Sequence, residues 1–300
     1  MYEALAQLAT AQDGVFTTAQ ALGLGIDDFM LSDLVRRREC RHLARGAYAW
    51  GLQVGTPEQI NLELCRGLLL LYPDAVLAGR SAAAAYGLPL WGVDYSRARL
   101  ERPVARQVRR SGAVIRPVST SATTLTAYGR AVDPEVACVQ VALDHGAIAG
   151  VVVTDSALHR QLVDLPRVEA EIMRRAGNRR IQHALAMLSL VDAGSESVGE
   201  SRTRVILTSH GFEIETQVVV RDQWGVIGRV DMQIKGTNVL VEFDGALKYA
   251  DDPRALFREK RREDRLRRLG YVVIRVTWAD LEAPGRLIAL AREALGTSAA

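Results

Sequence analysis

The sequence contains little cysteine and no long apolar run, and these two absences limit the classes it can belong to. Its cysteines, Cys40, Cys65 and Cys138, are odd in number and follow no pattern, which argues against a disulfide framework or a zinc site. No run approaches the roughly 20 apolar residues that span a bilayer, and the N-terminus lacks a signal-peptide pattern. We therefore expect a cytoplasmic protein without a membrane partner.

Histidine is also scarce, with five residues in the chain. His145, His159 and His183 are not spaced as ligands of one metal ion, so we interpret them as ordinary surface or core residues. The length of 300 residues and the hydrophobic content of 48% predict a globular chain of about two domains with a sizeable core.

Lysine occurs only at Lys235, Lys248 and Lys260, so nearly all positive charge is carried by arginine. Arginine suits bidentate contact with phosphate, although a GC-rich genome produces the same overall bias. Local clusters are more informative. One cluster consists of Arg36, Arg37, Arg38, Arg41 and Arg45. A second cluster, residues 97–116, has Glu101 as its only acid, and a third, residues 254–268, contains acids as well and is typical of a solvated helix face.

Residues 1–54 show the pattern of a small DNA-binding module. Two short helices are followed by a helix over IDDFMLSDLVRRREC, in which Phe29, Leu31, Leu34 and Val35 approximate an apolar stripe. RHLARGAYAWG then alternates like a hairpin. This order predicts a winged helix-turn-helix, whose third helix enters the major groove while arginines contact phosphates. A small helical cap with a basic edge is the alternative.

Residues 55–190 are predicted to be a mainly helical central domain. The exception is RARLERPVARQVRRSGAVIRPV, in which basic and apolar residues alternate as in strands or a hairpin. Such strands suit phosphate contact, but alternation alone is not specific evidence for it.

Residues 191–300 predict the element order α-β-β-β-α-β-α. We expect a mixed sheet flanked by helices, with the polar face of its hairpin near the first helix. The whole chain is therefore predicted to be a multidomain α/β protein of the α+β type, with domains over residues 1–54, 55–190 and 191–300.

The hairpin GRVDMQIKGTNVLVEFDGALKY, residues 228–249, carries an unusual set of acids. Its period of two places Asp231 beside Glu242 and Asp244 on one face. Clustered carboxylates repel unless a cation, a proton or a basic side chain compensates them, and Mg²⁺ prefers such oxygen ligands. For a hairpin in isolation, a solvated charged face is the commoner explanation.

Motifs in this section resemble a known nuclease family. GESRTR, GRVD, VEFDG and DRLRRLGYVVIRVTWADL, in this order, are similar to the very-short-patch-repair-like endonucleases of the PD-(D/E)XK superfamily. DGVFTTAQALGLG and RGAYAW resemble the winged-helix antitoxin domain of type IV (AbiE-type) toxin–antitoxin systems. GRSAAAAYGL and TDSALHR resemble the middle region of those proteins. Together the two resemblances cover most of the chain.

The nuclease resemblance implies roles for individual residues. Asp231 and Glu242 would bind Mg²⁺ or Mn²⁺, and Glu200 would support the metal or orient water. Asp244 stands where the superfamily usually has its catalytic lysine, and Lys248 is the candidate to replace that lysine; a solvated lysine is the alternative. Along the following helix, the candidate phosphate contacts are Arg261, Arg262 and Arg265.

The leading hypothesis is a DNA-binding, metal-dependent endonuclease acting on double-stranded DNA. The alternative is an antitoxin or transcriptional repressor, with a cognate toxin as partner, whose nuclease fold does not cut. The substitution at Asp244 favours the alternative, and the intact carboxylates favour hydrolysis. The same residues are also compatible with an RNA substrate, and they do not fix an oligomeric state.

Overall fold

The computed structural model describes residues 1–245 and 253–298 of the chain. The chain forms two compact units: Met1–Val153 with Val163–Ala186, and Thr154–Leu162 with Met187–Ala300. Both contain helices and sheets, which confirms the predicted fold class. None of the helices in the described ranges combines the length and the apolar character that crossing a membrane would require.

The N-terminal residues form a three-helix segment with a small antiparallel sheet. Its elements are α1 (Tyr2–Ala11), β1 (Val15–Thr17), α2 (Thr18–Gly23), α3 (Asp28–Arg36), β2 (Cys40–Ala44) and β3 (Ala47–Trp50). The strand order is β1-β3-β2, and β2 and β3 are joined by a tight turn at Arg45 and Gly46. This arrangement is that of a winged helix-turn-helix, in which the β2–β3 hairpin is the wing.

Helix α3 ends at Arg36, earlier than predicted, and its apolar stripe also differs at one residue. It begins after Asp27, whose carboxylate accepts the backbone N–H of Met30. Leu31 and Leu34, three residues apart, are buried, whereas the side chain of Phe29 is 80% exposed. Two residues correspond to more than half a helical turn, so Phe29 cannot share the face of Leu31. The predicted apolar stripe is therefore wrong at Phe29.

The following section contains both helices and a sheet. Its elements are α4 (Pro57–Leu71), β4 (Val76–Leu77), α5 (Gly79–Ala85), β5 (Ala98–Arg102), β6 (Val108–Arg110), β7 (Ala113–Pro117), β8 (Thr123–Thr126), β9 (Gly129–Val132), α6 (Pro134–His145), α7 (Ala147–His159), α8 (Leu165–Arg174) and α9 (Ile181–Leu188). Strands β6-β7-β5-β4-β9-β8 form one sheet. The predicted basic strands correspond to β5, β6 and β7, whereas the rest of the sheet was not predicted.

The C-terminal elements follow the predicted order. They are α10 (Val198–Ser209), β10 (Ile214–Asp222), β11 (Gly225–Ile234), β12 (Val239–Phe243), α11 (Pro253–Arg268), β13 (Val272–Val276), α12 (Trp278–Glu282) and α13 (Pro284–Ser298). In the sheet β10-β11-β12-β13 only the β12–β13 pair is parallel, so the sheet is mixed as predicted. The single last helix of the prediction is two helices, because Pro284 cannot continue the first.

Helices pack on both faces of this sheet. On one face, Met232 and Val241 pack in a cluster with Leu207 of α10. On the other face, Leu240 packs with Leu266 of α11. The polar face of the β11–β12 hairpin thus lies under α11, and the expectation that it lies near α10 is wrong. Both helices contribute a buried leucine, and the hairpin face that carries Met232 and Val241 packs on α10.

A close contact fixes the start of α10 against β12. A Cβ atom added to Gly199 would lie 2.1 Å from the ring of Phe243, so only glycine permits this approach. The Phe243 ring meets the ring of Trp278 edge to face, with centroids 4.9 Å apart. Residue 199 therefore determines how closely Glu200 approaches the end of β12.

Substitution of Gly199 by alanine tests this contact. We expect Gly199→Ala to lower the free energy of unfolding by about 1–3 kcal/mol, because a methyl group there overpacks the Phe243 ring. Urea unfolding measures the change. Gly285→Ala is the matched control, since nothing lies within 4 Å of a Cβ at Gly285. Equal losses in the two variants would contradict the proposed role of the contact.

Candidate functional site

Asp231 lies where β11 and β12 stop pairing. The recorded pairs are Gln233 with Leu240 and Met232 with Val241. Beyond them, Oδ2 of Asp231 accepts the backbone N–H of Phe243 at 2.8 Å. In a continuous ladder a backbone carbonyl would accept that N–H. The carboxylate takes its place, and this holds Asp231 beside the residue that follows Glu242.

Glu242 is compensated by a basic side chain of α11. Nη2 of Arg262 lies 2.5 Å from Oε1 of Glu242, and the two side chains are 19% and 14% exposed. The same nitrogen donates to the carbonyl of Arg229 on β11 at 3.3 Å. Gly228 makes room for Arg262, because a Cβ atom there would lie 2.7 Å from its Nε. The guanidinium therefore contacts both strands of the hairpin.

The side chain of Glu200 accepts hydrogen bonds at the beginning of α10. Its Oε1 accepts the hydroxyl of Ser197 at 2.8 Å, and its Oε2 accepts the backbone N–H of Glu196 at 2.9 Å. Its backbone N–H donates in turn to Ser197 Oγ. Gln217, which has a left-handed φ of 55°, donates to Oε2 at 3.3 Å. These contacts make Glu200 a capping residue, and its described partners do not include Asp231 or Glu242.

A buried network holds α10 in place and joins two of the sequence motifs. Asp155 of TDSALHR is fully buried. Its Oδ2 accepts the hydroxyl of Ser201 and Nη2 of Arg204, both at 2.7 Å, and both donors belong to GESRTR. Its Oδ1 accepts the backbone N–H of Asp192 at 2.7 Å. Burial raises the pKa of Asp155, and the charge of Arg204 opposes that rise. Motif similarity alone gave no indication that these residues meet.

Asp244 follows β12 directly. Its backbone N–H donates to the carbonyl of Val276 at 2.8 Å, which extends the parallel β12–β13 ladder to the residue that replaces the expected lysine. Lys248, the candidate substitute for that lysine, lies outside the described residues.

The other candidate arginines of α11 differ in their surroundings. Arg265 forms two hydrogen bonds with Asp222, at 2.7 and 2.8 Å, and this interaction lowers the pKa of Asp222. Arg261 and Arg268 line a cleft of about 380 Å³ together with Trp224, whose side chain is 72% exposed. The sequence analysis did not select Trp224 as a candidate surface residue. An aromatic residue within the polar segment DQWG could have indicated it.

The arginines at the end of α3 are partly neutralised. Arg36 and Arg37 both pair with Asp33, the latter at 2.7 Å. Arg38 has a left-handed φ of 61°, and it is exposed, with no ion pair to any described residue. The helix end therefore carries less net positive charge than its arginine count indicates.

The remaining candidate arginines belong to the wing. Arg41 forms a bidentate ion pair with Glu63 of α4, at 2.6 and 2.7 Å, and donates to the carbonyl of Gly51. Arg45 lies exposed at the wing turn and has no ion pair within residues 1–245 and 253–298. Arg41 therefore stabilises the wing, whereas Arg45 is available to a ligand.

The hairpin offers two carboxylates, Asp231 and Glu242, as oxygen donors to a divalent ion. Within the described parts of the chain, no three histidine, cysteine or acidic side chains stand together as a metal site. Mg²⁺ is commonly bound by one or two carboxylates, completed by water and substrate phosphates. By donor chemistry, Asp231 and Glu242 fit that mode. Glu242 would exchange its bond to Arg262 for a bond to the ion.

Comparison with known proteins adds a remote relationship. No family model matches the chain. Two uncharacterized proteins of Mycobacterium tuberculosis, from strains CDC 1551 / Oshkosh and H37Rv, are each 27% identical to it over 137 residues. The aligned part is 45% of this chain, and the chain spans about half the length of these curated relatives. Neither relative's name states an activity.

The Glu242–Arg262 pair is expected to be energetically coupled. A double-mutant cycle with Glu242→Gln and Arg262→Met should give a coupling energy of about 1–3 kcal/mol in urea unfolding, because the pair is largely shielded from water.

The control is the pair of Glu263 and Arg267 within α11, whose side chains are 26% and 68% exposed. Its coupling should be about 0.3–0.5 kcal/mol, as for surface pairs in helices. A Glu242–Arg262 coupling no larger than that of the control would show that Arg262 is not the compensating group.

Proposed function

We propose that this chain is a cytoplasmic DNA-binding protein whose C-terminal unit hydrolyses DNA phosphodiester bonds with Mg²⁺ or Mn²⁺. The supporting observation is the pair of carboxylates, Asp231 and Glu242, on adjoining strands where the ladder between them ends. Two partly buried acids need compensation, which Arg262 and the Phe243 amide provide here and which a divalent ion would provide on binding. The ordered nuclease-like motifs and the winged helix support the same assignment.

The residues around the hairpin would have different roles in hydrolysis. Asp231, oriented by the Phe243 amide, and Glu242 would hold the ion, which supplies charge neutralisation and lowers the pKa of bound water. Arg262, released from Glu242, would remain on the same face of the sheet and donate to a phosphate oxygen. Glu200 would keep its capping contacts and fix α10 beside β12.

DNA delivery would be the role of the winged helix. Arg38 and Arg45 are the exposed arginines of the N-terminal cluster without ion pairs to described residues. Phosphate contacts of this kind give affinity and salt dependence without sequence preference. Base recognition would then fall to the exposed face of α3, which includes Phe29.

A second candidate function is that of an AbiE-type antitoxin or repressor that binds its own promoter and a cognate toxin without cutting DNA. One observation favours it: Glu242 already has a counter-ion in Arg262, so the acids are compensated without a metal. The acid at position 244 in place of the family's lysine points the same way.

Cleavage of supercoiled plasmid separates these two functions. With Mg²⁺ or Mn²⁺, the wild-type protein should nick or linearise the plasmid. Asp231→Asn and Glu242→Gln should each slow the reaction by at least about a hundredfold, the usual effect of losing a group that stabilises the transition state.

Glu215→Gln is the control, because it removes an exposed acid of β10 in the same sheet. Equal cutting by wild type and both site variants would discard the assigned site. No cutting by the wild type, together with saturable binding to its promoter DNA, would establish the second candidate instead.

Binding to short duplex DNA tests the winged helix separately. Arg45→Ala should weaken binding to all sequences alike and reduce the salt slope, d log K/d log [salt], by about one. Fluorescence anisotropy over a salt series measures both. Arg167→Ala, which alters an exposed arginine of α8, should leave them unchanged. An Arg45→Ala protein with unaltered affinity and slope would remove the wing from the interface.

A further inference from the structure

A cleft of about 620 Å³ lies on the six-stranded sheet of the first unit, and its lining is dominated by arginine. The arginines that line it are Arg99, Arg109, Arg116, Arg175, Arg179 and Arg180. Among the residues that the structure describes, two carboxylates, Glu101 and Asp144, line the same cleft. An excess of positive charge in a concave site concentrates anions there.

Strand alternation explains why these arginines share one face. In β5, Ala98 and Leu100 point into the hydrophobic core, so Arg99 and Glu101 point to the opposite face. Register places Arg99 beside Val114 of β7 and Glu101 beside Arg116. Arg109 of β6 also pairs with Val114 and therefore lies on the cleft side of the sheet.

The floor of the cleft is a continuous set of buried hydrogen bonds. Gln140 of α6 accepts the backbone N–H of Gly79 at 2.6 Å and donates to Oε1 of Glu101 at 2.7 Å. Glu101, 2% exposed, also accepts the backbone N–H of Ser119 at 2.8 Å. Because Gln140 and Glu101 are both held by these bonds, this part of the floor is preorganised and Glu101 is shielded from an incoming anion.

Arg99 provides a fixed positive charge in this floor. Its side chain is 3% exposed; Nε donates to Asp144 at 3.3 Å and Nη1 donates to the carbonyl of Leu100 at 3.0 Å. Its Nη2 has no hydrogen-bond partner among the described residues. Burial lowers the pKa of Arg99 to about 10, so the group stays charged at neutral pH. Arg99 lines the cleft and therefore adds a fixed cation with an unused donor to its floor.

The rim adds cations that the protein does not neutralise. Arg109 and Arg179 are exposed and have no ion pair within the described ranges, whereas Arg116 pairs with Asp144 and Arg175 with Glu171. No aromatic side chain lines the cleft in the part of the chain that the structure describes. The lining thus suits charged oxygens rather than a stacked base or an apolar ligand.

We propose that this cleft binds a phosphate monoester or diphosphate group, carried by a free nucleotide or by the end of a nucleic-acid strand. Arginine forks match phosphate oxygens in bidentate geometry, and Arg99 would provide the innermost donor. This site is independent of phosphodiester hydrolysis by the C-terminal unit, and its test does not require that activity.

Isothermal titration calorimetry of the full chain with pyrophosphate at low salt tests the proposal. The wild type should show saturable binding, and Arg109→Ala should weaken it about tenfold, the effect of losing one charged hydrogen bond. Arg110→Ala is the control, because Arg110 is the next residue of the same strand, is also exposed and is not among the residues that line the cleft. It should bind like the wild type.

Two further titrations identify the carrier of the phosphate. Binding of adenosine diphosphate supports a free nucleotide, and binding of a short 5′-phosphorylated strand but not its 5′-hydroxyl counterpart supports a strand end. Absence of saturable pyrophosphate binding, or equal weakening in Arg109→Ala and Arg110→Ala, would overturn the proposal. So would equal binding of the phosphorylated and hydroxyl strands, since internal phosphodiesters would then suffice.

Discussion

Negative charge within a packed sheet must be compensated, and the C-terminal unit is organised around that requirement. Asp231 is compensated by a backbone amide of the neighbouring strand, and Glu242 by the guanidinium of Arg262. Because an uncompensated buried charge costs several kcal/mol or more, neither acid is tolerable without such a partner. The β11–β12 ladder stops at Met232, which frees the Phe243 amide for Asp231, and Gly228 leaves space for Arg262 beside Glu242.

The surroundings of the hairpin are held by buried polar contacts and by a close backbone approach. Asp155 joins the end of α7 to α10 through Ser201 and Arg204, and Gly199 allows the start of α10 to approach the Phe243 ring. The first unit has a similar arrangement, in which Glu101 and Gln140 form an ordered floor beneath the arginine side chains of the cleft. In both units a buried polar network positions charged groups that a ligand can reach.

The element order of the C-terminal unit could be predicted because most of its helices and strands show a clear hydrophobic period. The partner of Glu242 could not be predicted, because Arg262 is 20 residues away in sequence and the packing of α11 brings the two side chains together. The Asp155 network has the same long-range character. The missed strands β4, β8 and β9 are two, four and four residues long, too short to show a clear periodicity. Phe29 was misplaced because a stripe over residues 29–35, about two helical turns, is too short to fix the buried face.

The central claim is that Asp231 and Glu242 together bind a divalent ion. Anomalous diffraction from a crystal soaked in Mn²⁺ tests it most directly, because it locates the ion without requiring turnover. The account predicts an anomalous peak within coordination distance of carboxylate oxygens of both residues, with Arg262 moved off Glu242. A crystal at saturating Mn²⁺ that shows no peak there, with the Glu242–Arg262 pair intact, would contradict it.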